Sequence, residues 1–368
     1  MGKKKRFIQY LIPVVIVLLA SPMLTQVSLN RPEAKEELKC MICLRSHHPS
    51  SLGLSTGYNY ELLQKFGENI QVEPQVIIGD SPIEALQYLQ ADSIDIAIIP
   101  YNPALTSSGL FSCSRMHVDS TMWVVHKENR KFSESVRQWF KMNEQKDEYK
   151  ELERRFTPAY EPYKRAELGM KYQYASPYDD LIKKYAKSIG WDWRMLAALI
   201  WQESRFRIDA RSGRGAEGLL QMLPSTAKRF SNDDMLDPEK NIEAGVKYLK
   251  RLQAIFSQFC NEESLTKFTL AAYSAGEGRV LDCIRYARAH GIPYSDWKDL
   301  EGIITILRDS EEAKSDTLLQ HGGLRGFDTI NYVSSVYSLY DAFMIISPGP
   351  SSQDQPAKHT ETESGEES

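Results

Sequence analysis

Apolar and polar positions interleave in two patterns along the first half of the chain. Short apolar or alternating runs predict strands at residues 40–44, 72–78, 94–99 and 122–126. Between and after them, apolar positions spaced three and four apart predict helices at 60–66, 82–89, 136–142 and 149–156. Strands that alternate with helices favour a small α/β sheet with parallel strand pairs.

The pattern becomes almost wholly helical from Ser176 onwards. Ser176, Pro177 and Asp179 are typical of a helix start, with a capping hydroxyl, a proline at the first position and an acid in the first turn. Gly190 predicts the end of that helix. Further helices are predicted at 193–203, 241–259, 265–275, 279–290 and 330–343. The predicted fold class is therefore a small α/β domain followed by an all-α domain.

Both ends of the chain differ from its middle. Four basic residues at 3–6 precede an apolar run at 11–20, which predicts a signal peptide or a membrane anchor over residues 1–26. The segment 347–368 is rich in Ser, Pro, Glu and Gln and predicts a disordered acidic tail. We therefore expect a protein of the periplasm or cell envelope that meets the membrane only through its N-terminal segment.

Composition narrows the chemistry further. A formal net charge of −4 over 368 residues gives no strong field for nucleic acid, so no such partner is expected. The histidines show no metal-ligand spacing beyond one adjacent pair, so we predict neither a metal nor a cofactor. Export permits disulfides, and Cys260 and Cys283 are candidates for one. Cys40 and Cys43 lie in an apolar, strand-like run, which favours packed or disulfide-bonded cysteines over redox chemistry.

Glu203 differs from the other acidic residues in its surroundings. It ends a strongly apolar helix, where the negative end of the helix dipole disfavours a carboxylate. Its neighbours Ile200, Trp201 and Phe206 are apolar, which also raises the pKa of a carboxyl group. Such a group can act as a general acid near neutral pH. A glutamate at a helix end, taken alone, is more often a solvated surface residue.

Several motifs follow Glu203-Ser204 in order. They are Gly-Leu-Leu-Gln at 218–221, a run at 237–249, Ala-Ala-Tyr-Ser-Ala-Gly at 271–276 and Asp-Thr-Ile-Asn-Tyr-Val at 328–333. The set resembles the soluble lytic transglycosylase domain, which has a lysozyme-like helical fold. The resemblance spans about residues 176–340, and we place this domain at 175–345.

The preceding segment, 37–157, resembles one lobe of a periplasmic solute-binding domain. The matching stretches are 58–66, 81–89, 92–98 and 120–125. Members of that family clamp a ligand between two lobes, whereas about 115 residues suffice for a single lobe. Docking and ligand sensing both stay open, with a muropeptide as a candidate ligand. A lobe of this kind ahead of the catalytic domain is similar to the membrane-bound lytic transglycosylase F family.

The resemblance implies a catalytic acid at Glu203 and a cleft lined by the motif residues. The implied substrate-binding residues are Ser204, Gly218, Leu220, Gln221, Tyr273, Ser274 and Tyr332. Leu220 replaces the Met of the family pattern, and Ser274 replaces an Asn. We expect the Leu220 side chain to belong to the core, the Tyr332 hydroxyl to orient Glu203, and Asp209 to be a turn residue.

The implied activity is non-hydrolytic cleavage of the β-1,4 bond between MurNAc and GlcNAc in peptidoglycan glycan strands, leaving 1,6-anhydroMurNAc ends. Most glycoside hydrolases use two carboxylates. One suffices here if the acceptor is the sugar's own C6 hydroxyl, because an intramolecular acceptor needs no activated water. A lysozyme-type muramidase and a non-catalytic wall-binding or sensor protein stay open as alternatives.

Overall fold

The computed structural model describes residues 37–44, 54–107, 109–114, 116–156, 160–171, 173–231, 234–309, 317–321 and 326–349. The predicted export segment and the predicted acidic tail lie outside these residues. The described residues form two compact units. The first contains 37–44 and 59–150, and the second contains 54–58 and 151–349. The sequence places the corresponding division later, between residues 157 and 175.

The first unit is built on a five-stranded sheet in the order β2-β1-β3-β5-β4. The strands are β1 (Leu38–Ile42), β2 (Pro74–Ile78), β3 (Ile96–Pro100), β4 (Phe111–Cys113) and β5 (Thr121–His126). Strand β1 pairs in parallel with β2 and β3, which confirms the predicted parallel pairs. Strand β5 pairs antiparallel with β3 and β4, so the sheet is mixed. Strand β4 has only three residues, too few to leave a periodic pattern in the sequence.

The helices of this part of the chain follow the predicted order. They are α1 (Ser55–Ile70), α2 (Pro82–Gln90), α3 (Pro103–Thr106), α4 (Arg130–Asn143) and α5 (Asp147–Phe156). Helix α2 begins with a proline, and the Ser81 side chain accepts a hydrogen bond from the Glu84 amide at 3.3 Å. A capped start of this kind satisfies one of the amide groups that a helix leaves unpaired.

Trp123 organises the aromatic core of the first unit. Its ring meets Phe66 and Phe140 edge-on, with centroids 6.0 and 4.9 Å apart. Its buried indole N–H donates to the Asn59 side chain at 2.9 Å. Asn59 is itself fully buried and donates to the Thr121 hydroxyl at 3.2 Å. An unpaired buried polar group is costly. These hydrogen bonds therefore allow the Trp123 indole and the Asn59 side chain to be buried inside the aromatic core.

The second unit is helical. Its helices are α6 (Pro162–Glu167), α7 (Asp179–Ala186), α8 (Trp193–Ser204), α9 (Pro224–Ala227), α10 (Pro238–Phe256), α11 (Glu262–Ala275), α12 (Glu277–Ala289), α13 (Trp297–Asp309) and α14 (Gly326–Ile346). Nine of the twelve residues of α8 are buried, which makes it the central helix of this unit. Helix α14 packs against α8, α6 and α11. The fold class predicted from the sequence is confirmed.

The start of α7 differs from the prediction. The helix begins at Asp179, three residues after the predicted cap Ser176. The buried Asp179 carboxylate accepts hydrogen bonds from the amides of Ala175 and Ser176 at 3.0 and 2.8 Å. The Ser176 hydroxyl accepts from the Tyr178 amide at 3.2 Å. These bonds stabilise a turn ahead of the helix instead of its first helical turn. Gly190, with φ of 68°, ends the short 3₁₀ turn Lys187–Ile189, as predicted.

Cys260 and Cys283 form no disulfide, so the suggested pairing of these two residues is wrong. Burial raises the pKa of the Cys283 thiol to about 12, and that of Cys43 to about 11. Cys40 and Cys43 are buried packing residues, one of the two roles expected for them. In the part of the chain that the structure describes, no helix is long and apolar enough to cross a membrane.

Candidate active site

Helix α8 ends abruptly just after Glu203. Arg205 and Phe206 both adopt left-handed backbone conformations, with φ of 57° and 62°. Each non-glycine residue in this region costs about 1–2 kcal/mol. Phe206 is fully buried, with its ring 5.8 Å from that of Tyr160 and 6.2 Å from that of Phe343. Burial of this ring offsets the backbone strain and fixes the point at which the helix stops. Glu203 therefore stands in the last turn of an otherwise buried helix.

The Glu203 carboxyl group is desolvated and yet reachable. Burial raises its pKa to about 7, which confirms the direction predicted from its apolar neighbours. The Tyr332 hydroxyl donates a hydrogen bond to its Oε1, as expected, and this bond lowers the pKa against the larger effect of burial. The residue as a whole remains partly exposed. A pKa near neutral pH suits a group that acts first as a general acid and then as a general base.

Two tyrosines lie beside Glu203. Tyr332 belongs to α14 and Tyr273 to α11. Burial raises the pKa of each hydroxyl well above its usual value, and the nearby Glu203 raises it further. Both hydroxyls therefore stay protonated and can donate hydrogen bonds across the physiological pH range. Tyr273 donates to the backbone carbonyl of Leu220, which ties α11 to the loop at 217–222.

That loop is held by Asn241, a fully buried residue of α10. Its Oδ1 accepts from the Leu220 amide at 2.8 Å. Its Nδ2 donates to the carbonyls of Glu217 and Met235 at 3.1 and 2.9 Å. Gly218 has φ of 77°, and a Cβ there would collide with the Asn241 side chain. The motif resemblance implies a place in the cleft for Gly218. Asn241 belongs to the motif run at 237–249, but the sequence pattern does not reveal its role in holding the loop.

Two of the expected contact residues have buried side chains. The Ser204 hydroxyl donates to the Ile200 carbonyl at 3.1 Å and is only 4% exposed. Leu220 is fully buried and packs against Gly245, as expected of a core side chain. Gly218 is also buried, and it contributes its backbone conformation rather than a side chain. Packing therefore encloses both side chains, as expected for Leu220, whereas substrate contact at Ser204 stays a prediction.

Gln221 and Ser274 lie nearer the surface. Gln221 is partly exposed, and its Nε2 donates to the carbonyls of Ala210 and Gly218 at 2.9 and 3.0 Å. The resemblance implies a substrate contact for Gln221, but two backbone carbonyls already bind its amide nitrogen. Only the amide oxygen is left to accept from a ligand. Ser274 is exposed in the last turn of α11, directly after Tyr273.

Two other carboxylates of this unit form ion pairs with arginines. Asp209 lies in a buried turn, as predicted, where it accepts from Thr56 Oγ1 at 3.0 Å and pairs with Arg207 at 3.2 Å. Glu217 pairs with Arg211 at 2.9 Å. Neither carboxylate contributes to the pKa shift of Glu203. Within the described residues, no group of three or more His, Cys, Asp or Glu is placed to hold a metal ion.

Most of this arrangement of one desolvated acid, two donor tyrosines and a glycine-containing loop lies in a stretch of the chain that matches a known family. Residues 180–294 match the family model described as "Transglycosylase SLT domain". The matched stretch contains Glu203, the loop at 217–222 and Tyr273, whereas Tyr332 lies beyond it. The helical unit therefore contains a stretch that matches the transglycosylase SLT domain family, and the resemblance inferred from the motifs is confirmed.

The chain is also similar to proteins named membrane-bound lytic murein transglycosylase F. The protein from Desulfosudis oleivorans is 26% identical over 291 residues, covering 70% of this chain and 63% of that protein. The protein from Shewanella loihica is 33% identical over 169 residues, covering 46% of this chain and 34% of that protein. The chain thus spans less than two thirds of the length of either relative.

Solved structures with likeness to the chain are also lytic transglycosylases. The soluble lytic transglycosylase SLT70 from Escherichia coli is 24% identical with a TM-score of 0.33, covering 45% of this chain and 24% of that chain. The lytic transglycosylase Slt from Pseudomonas aeruginosa is 20% identical with a TM-score of 0.31, covering 57% of this chain and 32% of that chain.

We predict that Tyr332→Phe raises the pKa of Glu203 above its value of about 7. The lost hydrogen bond stabilises the carboxylate and not the neutral acid, so its removal favours the protonated form. A rise of about one pKa unit corresponds to about 1.4 kcal/mol. NMR titration of the ¹³C-labelled Glu203 carboxyl group measures this pKa in the wild type and the variant. Tyr340→Phe is the matched control on α14, because the Tyr340 hydroxyl faces Asp192 at 3.5 Å. An unchanged or lower Glu203 pKa in Tyr332→Phe would contradict the prediction.

Proposed function

We propose that the chain is a peptidoglycan lytic transglycosylase. The reaction is non-hydrolytic cleavage of the MurNAc–GlcNAc β-1,4 bond in glycan strands, with 1,6-anhydroMurNAc as the new end. The observation that carries the proposal is Glu203, an acid with a pKa of about 7 that is bound by Tyr332 and receives no pKa contribution from a second carboxylate. The SLT domain match and the names of the relatives support the same activity.

In the first step, protonated Glu203 gives its proton to the glycosidic oxygen. The bond between that oxygen and C1 of MurNAc breaks, and the GlcNAc side leaves as an alcohol. C1 takes on oxocarbenium character, which the sugar's own 2-acetamido oxygen can stabilise. The Glu203 carboxylate formed in this step accepts the Tyr332 hydrogen bond, which strengthens as the charge develops.

In the second step, the Glu203 carboxylate takes the proton of the C6 hydroxyl while that oxygen attacks C1. The new C6–O–C1 bond closes the anhydro ring, and Glu203 regains the proton that it gave away. One carboxyl group thus serves as acid and then as base, since the acceptor already belongs to the substrate. A muramidase would need a second group to position or activate water.

We predict that digestion of purified sacculi releases anhydro muropeptides, and that Glu203→Gln lowers the rate by roughly a hundredfold or more, as for loss of a general acid. Mass spectrometry of the soluble products measures both. Glu263→Gln is the matched control, because Glu263 is exposed in the first turn of α11, outside the site. Reducing-end MurNAc would identify a muramidase instead. Equal release by Glu203→Gln and wild type would remove Glu203 as the catalyst.

The protein is proposed to act in the cell envelope. The basic and apolar pattern at residues 1–26 and the name of the relatives, "membrane-bound", support this location. Fractionation of cells and the mass of the mature N-terminal peptide test it. Loss of the segment 1–26 indicates a cleaved signal, whereas its retention with a need for detergent indicates an anchor. Recovery in the cytosolic fraction would contradict the proposal.

A muropeptide is the ligand proposed for the first unit. Its support is the resemblance of that unit to a solute-binding lobe, together with the proposed product of the helical unit. Calorimetric titration of full-length Glu203→Gln with purified muropeptide tests it, because that variant is not expected to degrade the ligand. Saturable heat is expected. If muropeptide gives no heat while longer glycan strands still bind, the muropeptide is not the ligand. That result would leave the proposed activity unaffected.

A further inference from the structure

A cavity of about 300 Å³ lies in the first unit between strands β4 and β5 and helix α4. This volume is at the lower end of the range for small-molecule sites. At about 30 Å³ for each water molecule, it has room for about ten waters or for a molecule the size of leucine. The cavity lies at the antiparallel edge of the sheet, away from the carboxyl ends of the parallel strands, where α/β sheets usually bind ligands.

One wall of the cavity is apolar. Trp123 and Val125 point from the same face of β5, two residues apart. Val136 and Phe140 lie one turn apart on α4 and complete this wall. All four side chains are at least 90% buried, so they are rigid within a packed core. The wall can therefore receive an apolar body without first having to order its own side chains.

The rim carries two cations. Arg137 and Lys141 are one turn apart on α4, and both line the cavity. Arg137 donates through Nη2 to the Ser112 hydroxyl on β4 at 3.3 Å. Its Nη1 forms a solvent-exposed ion pair with Glu134 at 2.7 Å. Glu144 is the acidic residue of the lining, so the lining residues carry a formal net charge of +1, to which Glu134 adds a negative charge beside Arg137.

We propose that this cavity binds a small carboxylate with a branched apolar body. Arg137 and Lys141 hold the carboxylate, since a guanidinium fork matches two carboxylate oxygens. Trp123 and Phe140 contact the apolar body. The site is independent of the proposed transglycosylase activity, because it lies in the other unit and its test needs no turnover.

Cys113 provides a reporter inside the site. It lines the cavity and is partly exposed, and Cys260 is a partly exposed thiol of the other unit. Burial raises the pKa of both thiols, so both are labelled with N-ethylmaleimide under the same mildly alkaline conditions. Peptide mass spectrometry of the full-length chain gives each rate. We expect millimolar 4-methylpentanoate to slow labelling of Cys113 several-fold and to leave Cys260 unchanged.

Three probes with the same branched apolar group identify the recognised group in the wild-type chain. They are 4-methylpentanoate, 3-methylbutylamine and leucine. Protection of Cys113 by either carboxylate but not by the amine supports the proposal. Stronger protection by leucine than by 4-methylpentanoate identifies the ligand as a free amino acid, with Glu144 as the partner of its ammonium group. Equal protection by the amine, or no protection by either carboxylate, would overturn the proposal.

The variant Arg137→Gln/Lys141→Gln tests the assignment of the cations. Loss of charged hydrogen bonds is expected to weaken binding roughly tenfold or more. Arg130→Gln is the matched control, since it removes one positive charge from the same helix outside the cavity. Protection that persists at the wild-type probe concentration in the double variant would overturn the assignment. The three-probe comparison uses the wild-type chain and so holds even if this variant folds poorly.

Discussion

The abrupt end of helix α8 is the constraint on which the site depends. A regular helix continued past Ser204 would carry the chain away from the buried Phe206 pocket. Two successive left-handed residues, Arg205 and Phe206, stop it instead. The backbone strain is tolerated because Phe206 is packed between Tyr160 and Phe343. As a result, Glu203 lies in the last turn of a buried helix, desolvated on one side and open on the other.

Three further elements determine what that carboxyl group can do. Helix α14 supplies Tyr332, which favours the carboxylate, while burial favours the neutral acid. Helix α11 supplies Tyr273, which engages the Leu220 carbonyl and so connects the acid to the loop at 217–222. Helix α10 supplies Asn241, which pairs that loop's backbone groups. The pKa near 7 is thus the balance between dehydration and one directed hydrogen bond.

Much of the fold and of the candidate site could be predicted from the sequence. Features that depend on residues distant in the chain, or on backbone groups, could not. Helix α8 and the raised pKa of Glu203 follow from local apolar neighbours. Helix α13 was missed although its apolar residues have helical spacing (Trp297, Leu300, Ile303, Ile304 and Leu307). The core position of Leu220 is predicted, but the sequence does not reveal that Gly245, which is distant in sequence, leaves room for its side chain. The partners of the Gln221 amide are backbone carbonyls, which no residue pattern reveals.

The hydrogen bond from Tyr332 to Glu203 joins residues 129 positions apart in the chain. During synthesis, Glu203 emerges well before the helix that carries its donor and covers α8. Until α14 is made and docked, the carboxyl group has neither its full dehydration nor its tyrosine partner. Glu203 therefore acquires its final pKa late in folding. A chain that stops short of Gly326 would contain Glu203 without the helix that completes its burial and supplies the Tyr332 hydrogen bond.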